Sequence, residues 1–439
     1  MNRSNLLQLM LNNSLLLTLK QHPFFARLAI LVIAGFISLF ALSFFQIPLT
    51  TFEEQAGSVA WRMNPDIEPE ERINIIAIDE KSIDQLGAWP WSRDTMASLS
   101  SALAEAGVQL QIYDVVFPEP RVGDENFISA LQSAPAVISQ LPDLQNSQNV
   151  QTGVMSHPLN GVSCTTGSAL NSTDSFIANT ASFASIPKGH IAAVLDADGA
   201  VRKVPTLICV DGKAYPALSV SALLMATGSR RWDATLLEPT FYMGPARELQ
   251  LSAYPGFSIP TDVAGNMRVS YLKVPEAYRA FSAADVINRK IDPEQLENTW
   301  ALVGYTAFGL VDIVPTPFNA AAPGIEIQAR ILGSFLDNNI PYTPASASTI
   351  LVLISILFGS VLFALASKQE KVGAYGMAMC VLLLPAISIL LHVKLLVSAN
   401  IWLGWFAPSL YSVTAASLLL LHEYARVRFE RGRVLGNLS

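Results

Sequence analysis

Three aspartates, Asp79, Asp114 and Asp312, each stand near the end of a short apolar run that reads as a strand. Carboxylates gathered outside the carboxyl ends of parallel strands can hold a divalent cation or a basic ligand. The same aspartates serve equally well as helix N-caps or acceptors for loop amides, and that structural use is the preferred reading. Arg93 and Arg202 are cations placed to pair with them, again a role that is more often structural. Trp89 and Trp91 flank Pro90 in a loop, where packing over a sheet edge is preferred to direct ligand contact. The turn Asp196-Ala-Asp-Gly199 superficially resembles a calcium loop but lacks the remaining ligand positions, so it reads as a hairpin turn. His157 and His190 lack zinc-ligand spacing. No nucleophile elbow, phosphate-binding glycine loop or metalloprotease motif occurs. The residues therefore predict no catalytic group, no metal site and no resident cofactor, with a divalent cation at the aspartates left open. The candidate ligand contacts are Asp79, Asp114, Asp312, Arg93, Trp89 and Trp91.

Cys380 falls inside an apolar run and reads as a small buried residue. Cys164 and Cys209 stand in a region that permits disulfides, and spacing leaves open whether they are bridged or are two separate thiols.

The elements that must position these side chains follow from periodicity. Phe52, Ala56, Val59, Ala60 and Met63 repeat at helical spacing until Pro65 and the acidic run 68–71. Ile73-Asn-Ile-Ile-Ala-Ile-Asp79 is too short for a helix and reads as a buried strand. A helix over Thr95–Ala106 stops at Gly107, a strand follows over Val108–Phe117, a helix over Glu125–Gln132 and a strand over Ala136–Ile138. That alternation predicts a mostly parallel sheet with crossover helices. Residues 143–185 are rich in Gly, Ser, Thr and Asn and read as a long loop or insertion. Hairpins are expected at 190–209 and at the Asp211-Gly-Lys213 turn, a helix at Ala217–Thr227, strands at Met267–Val274 and Thr299–Tyr305, and a last helix at Ile325–Leu336.

Composition places part of the chain in lipid. Apolar residues are 51%, charged residues 14% and mean hydropathy +0.37, whereas soluble domains are about 25% charged. Four windows free of Asp, Glu, Lys and Arg are long enough to cross a bilayer: Leu28–Phe45, Thr349–Ala366, Val372–Leu391 and Ile401–Leu421. The first is read as an uncleaved anchor, because no clear small-x-small site follows it. The net charge of −7 divides into −14 between Pro48 and Ser346 and +7 elsewhere. An acidic central segment excludes phosphate-neutralising nucleic-acid binding. Arg3, Lys20, Arg27, Lys368, Lys371, Arg426, Arg428, Arg431 and Arg433 flank the windows on one side, and only Lys394 falls in a short loop on the other. Both termini are therefore expected in the cytoplasm. The expected organisation is a cytoplasmic segment (1–27), a transmembrane helix (28–47), a periplasmic domain (48–346), three transmembrane helices (347–422) and a cytoplasmic tail (423–439). Tyr424, Val427 and Val434 in the tail offer one short seam at coiled-coil spacing.

Ile76-Ala-Ile-Asp-Glu80 with Ser82, then Leu86-Gly-Ala-Trp-Pro-Trp-Ser-Arg93, resembles the opening signature of the CHASE family, type two (cyclases/histidine kinases associated sensory extracellular domain). Ala106-Gly107, Tyr113-Asp-Val-Val-Phe117, Glu119-Pro120, Asp198-Gly199, Val201-Arg202 and Val303-Gly-Tyr-Thr306 continue it. Gly309-Leu-Val-Asp312, Thr316-Pro317 and Pro323-Gly-Ile-Glu-Ile-Gln-Ala329 complete it, in the family's order and spacing from about Glu54 to Leu336. Three closing transmembrane helices are also the family's usual arrangement. Three positions depart from the pattern: Gly57-Ser58 where Tyr-Asp is frequent, Leu272-Lys273 where Arg-Gly is usual, and Gln328 where a His frequently precedes the Ala.

The resemblance implies a sensor that meets a periplasmic ligand and controls a cytoplasmic nucleotide cyclase or kinase, here fused beyond Ser439 or supplied by a partner, with the chain acting as a homodimer in the bacterial inner membrane. His422–Ser439 is too short for a catalytic domain, so no enzyme is expected on this chain. The rivals are a periplasmic hydrolase using Asp79, Asp114 and Asp312, and an envelope assembly protein.

Overall fold

A computed structural model describes residues 23–436 apart from 146–148, 166, 229–230, 239–241, 308, 310–312 and 369, and the backbone alone at 370 and 429–436. In chain order, α1 (Pro23–Phe44), α2 (Gln46–Gly57) and α3 (Val59–Met63) lead to strand β1 (Glu70–Ile78). Then follow α4 (Glu80–Leu86), α5 (Arg93–Glu105), β2 (Leu110–Tyr113), α6 (Asp124–Gln132) and β3 (Ala136–Pro142). Short strands β4 (Gln151–Thr152), β5 (Phe176–Ile177), β6 (Lys188–His190), β7 (Val194–Leu195), β8 (Val201–Pro205), β9 (Leu207–Val210) and β10 (Lys213–Pro216) precede α7 (Leu218–Ala226). Strands β11 (Ala234–Leu237), β12 (Arg247–Leu251), β13 (Ser258–Thr261), β14 (Asn266–Arg268) and β15 (Tyr278–Ser282), then α8 (Ala283–Ile287), β16 (Trp300–Tyr305), β17 (Ile313–Val314) and β18 (Ala322–Pro323), lead to α9 (Gly324–Leu336). Three long helices close the order: α10 (Ala347–Ala366), α11 (Glu370–Ala399) and α12 (Phe406–Gly436).

The chain forms two compact units. One contains α1, α2 and α10–α12; the other runs from Ser58 to Ala345 and includes Asn400–Trp402.

In the second unit the main sheet has the order β15-β1-β16-β2-β3, and β6 pairs onto β3; all of these pairs are parallel. Strand β16 lies between β1 and β2, although β1 and β2 are near neighbours in sequence. Every residue from Ile73 to Ile78 is buried, as expected of a strand covered on both faces. Helices α5 and α6 lay Met96, Leu99, Leu103, Phe127 and Leu131 against Ile76, Ile78, Tyr113 and Val303. Each fully buried Leu or Phe side chain contributes about 1.5–3 kcal/mol by leaving water. On the other side, β6 approaches α7 so closely that a Cβ on Gly189 would meet the Leu218 backbone at 2.5 Å.

Several expected elements are shorter or divided. Strand β2 ends at Tyr113 rather than Phe117. The helix expected through Met63 breaks between Gly57 and Val59. The run expected as one strand over Val201–Cys209 is two, because Thr206 turns its amide and hydroxyl to the Gly265 carbonyl (both 2.9 Å). Strand character at 267–274 ends at Arg268. Residues 143–185 are not all loop: they include β4, β5 and a 3-10 turn at Ala181–Ser185. Cys164 and Cys209 form a disulfide with Cα atoms 5.7 Å apart.

In the first unit, three helices are long and apolar enough to cross a membrane among the described residues: Pro23–Phe44, Ala347–Ala366 and Lys371–Ala399. The apolar run expected as a fourth span from Ile401 becomes helical only at Phe406, so its helical part to Leu421 is about 24 Å at the α-helical rise. Leu31, Ala34, Leu362, Met377, Leu384, Ala415 and Leu419 form the unit's core. The Glu53 carboxylate accepts the amides of Trp405 (2.7 Å) and Phe406 (2.9 Å) and caps α12. Buried Arg27 donates to Glu423 at 2.9 Å, joining α1 to α12. Buried His392 donates through Nδ1 to the Leu403 carbonyl at 2.7 Å.

Candidate functional site

A cleft of about 740 Å³ lies in the second unit, outside the carboxyl ends of β2, β3 and β6. Open α/β sheets place ligands at such strand ends, and this volume is that of a small-molecule site. Asp114, the residue after β2, sits in the cleft. One wall is Leu141–Gln145 at the end of β3, with Phe176 and Ile177 of β5. A second is Ile191–Ala193 with Val201 and Val204 of β8. A third is the first turns of α9, through Gly324, Ile327 and Gln328. Spacing of three and four residues puts those α9 positions on one helix face. Gly304 permits α9 to close on β16: a Cβ there would lie 2.6 Å from Ile325 Cδ1 and 3.4 Å from Asp114 Cβ. Gln328 is 7% exposed and lines the cleft.

The expected site residues disperse. Asp79 caps α4, accepting from Ser82 N (2.9 Å), Ser82 Oγ (2.5 Å) and Ser282 Oγ (2.8 Å). Burial raises its pKa, yet the two hydroxyls and the amide outweigh that and hold the carboxyl below its ordinary value. Ser282 ends β15, so Asp79 turns toward that strand and away from β16 and Asp114. The strand ends of β1 and β2 are two spacings apart, about 10 Å. Asp312 lies outside the described residues. No group of three or more His, Cys, Asp or Glu among the described residues is placed to hold a metal ion.

Arg93 pairs with neither Asp79 nor Asp114. It is buried, with Nε 2.7 Å from Asp124 and Nη2 3.0 Å from the Glu119 carbonyl, and its guanidinium lies 4.6 Å from the Phe117 ring centroid. That geometry ties α5 to the loop before α6. Arg202 is held by Asp196 (2.7 Å) and Asp198 (2.8 Å), so the Asp-Ala-Asp-Gly turn spends its carboxylates on an arginine. Trp91 belongs to the core and donates Nε1 to the Gly87 carbonyl at 2.9 Å. Trp89 packs edge-on against Trp91 and Tyr305, with centroids 5.3 and 5.0 Å apart.

Of the six candidate contacts, Asp114 alone lines the cleft among the described residues. Sequence reasoning missed Asp143 and Gln328 as site residues. Asp143 stood in a segment without periodicity, and Gln328 stood out only as a departure from a family pattern.

A cleft at the carboxyl edge of a parallel sheet, in a chain with helices long and apolar enough to cross a bilayer, is the arrangement of a membrane protein that carries an α/β domain. The model of the CHASE2 domain matches residues 28–365, and the chain belongs to that family of sensory extracellular domains. The domain itself is sensory rather than catalytic. No curated protein and no solved structure matches the chain.

Proposed function

We propose that this chain is the sensing part of a bacterial inner-membrane signalling protein, in which a periplasmic ligand occupies the cleft at Asp114 and Gln328. The observation that carries the reading is a cleft of about 740 Å³, lined by Asp114 and Gln328 at the carboxyl edge of the sheet, in a domain of a sensory family. Both termini face the cytoplasm, α12 serves as the fourth membrane helix, and the chain acts as a homodimer. Along the chain, α3 follows the passage between the two units at Gly57–Ser58, and α9 is the last helix before the passage at Ala345–Ser346. A ligand that prefers one arrangement of the domain would shift populations by that differential affinity, and no more. The output is a cyclase or kinase, on a partner or encoded beyond Ser439.

The test is a cyclase reporter fused after Leu435, with periplasmic extract fractions added. We expect a fraction that changes reporter activity, and loss of that response in Ala193→Trp, which fills the cleft. A reporter indifferent both to every fraction and to Ala193→Trp would refute the reading. The hydrolase reading draws no support from the geometry, because Asp79 is committed to its helix cap and does not meet Asp114.

A further inference from the structure

A groove of about 750 Å³ lies in the first unit between α1 and α10, with Ala407 and Tyr411 of α12 as its floor. Its walls run from Phe24 to Leu42 on α1 and from Ser348 to Phe363 on α10. The α1 wall is about 27 Å long at the helical rise. Phe24 and Phe363 close one end, with ring centroids 5.2 Å apart. The Tyr411 ring reaches from wall to wall: a Cβ on Gly35 would lie 3.9 Å from its Cε2, and one on Gly359 only 2.6 Å from its hydroxyl. No Asp, Glu, Lys, Arg or His lines the groove among the described residues.

Ser355 and Ser360 on the α10 wall donate to the carbonyls four residues back, Leu351 (2.8 Å) and Ile356 (2.9 Å), as helical serines commonly do. Ser38 on the α1 wall does not. It is 4% exposed, it lines the groove, and its Oγ has no hydrogen-bond partner among the described residues. Between apolar walls without water, such a hydroxyl is a cost that a bound acceptor removes.

We propose that the groove binds a prenyl quinone drawn from the bilayer. A ring carbonyl accepts from Ser38 Oγ, and the apolar tail lies along the walls toward Phe24 and Phe363. The absence of charged groups on the walls matches a neutral ligand. A phospholipid acyl chain offers no acceptor at Ser38, which lies about 9 Å inside the nearer end of α1, while ester groups stay in the polar interfacial layer. A neighbouring helix about 10 Å across displaces roughly 2,000 Å³ over the length of the groove. The groove instead has the size of a small-molecule site, about 300–1,000 Å³. It belongs to a different unit from the cleft at Asp114, and the proposal stands without the sensing reading.

The test uses the full chain in detergent micelles and native mass spectrometry, which counts bound molecules. Decylubiquinone and decylbenzene, which lacks the carbonyls, are compared at equal mole fraction in the micelle. We expect one quinone per chain, bound at least about threefold tighter than decylbenzene, the scale of one neutral hydrogen bond. Ser38→Ala should remove that preference without lowering the unfolding temperature. Ser355→Trp, which fills the groove, should abolish binding of both probes. Equal binding of the two probes overturns the proposal, as does a preference that survives Ser38→Ala. Quinone binding that survives Ser355→Trp puts the site elsewhere and overturns it too. Phospholipid or a second copy of the chain that decylubiquinone does not displace overturns it in favour of that occupant.

Discussion

At Asp79 one carboxylate gathers a backbone amide and two hydroxyls, and joins the start of α4 to the end of β15. Removing such a cap costs about 0.5–2 kcal/mol, and more where the hydroxyls are left unpaired. Asp79→Ala should lower stability by about 1–3 kcal/mol in urea denaturation. Because the folded pKa is depressed, the contribution is present above the unfolded value near 4 and is lost as pH falls through the folded one. The wild type should therefore lose its advantage over Asp79→Ala below about pH 4. His190 behaves as a base with the same sign. It is fully buried, neither ring nitrogen has a hydrogen-bond partner among the described residues, and burial pushes its pKa down to about 3. The unfolded chain takes up a proton near pH 6.5, so folding stability falls as pH drops from about 6.5 toward 3. His190→Leu should flatten that slope, so that its unfolding midpoint falls less between pH 7 and pH 5 than the wild type's does; an unchanged slope would remove His190 as its source.

At the level of elements, the segment 143–185 is held by fixed points rather than by periodicity. Asn179 donates to the Ser139 carbonyl (2.6 Å) and accepts the Phe117 amide (2.8 Å), and β5 pairs with the end of β3. The disulfide adds a covalent link from Cys164 to β9, closing a sequence separation of 45. By loop-closure entropy such a link is worth about 4 kcal/mol. Reduction should lower the denaturant midpoint accordingly, with Cys164→Ser/Cys209→Ser matching the reduced protein. The segment supplies Asp143, Val150, Ser175 and Phe176 to the cleft. Its order is therefore a condition of the site, and reduction should weaken ligand binding as well as stability.

For the whole molecule, the charge asymmetry and the three apolar helices bear on topology. Alkaline phosphatase fused after Asn298 should be active outside the cytoplasm and inactive when fused after Leu435; the opposite pattern would invert the proposed orientation. Within the first unit α12 is joined to α1 by Arg27 with Glu423 and to α2 by Glu53, which caps its start. Removing one partner of a buried ion pair strands the other charge, so the Arg27–Glu423 contact also bears on how α1 and α12 stay registered.

The succession of strands and helices along the chain was legible from the residues, because short β-branched runs and helical periods are local properties. So were the apolar helices, whose length and lack of charge need no partner to be recognised. The signature blocks that named the family were legible as well. Which carboxylate meets the cleft was not. That depends on β16 entering between β1 and β2 and on β15 arriving beside β1 to take Asp79's hydrogen bonds, and strand order is set by long-range pairing. Equally, Arg93 reads as a cation in sequence and is a buried clamp only because Asp124 and Phe117 converge on it. Residue types and spacing determined that this is a membrane-anchored α/β sensory domain; tertiary structure alone decided that Asp114, Asp143 and Gln328 share a cleft, because a site is made of residues brought together across the sheet edge rather than along the chain.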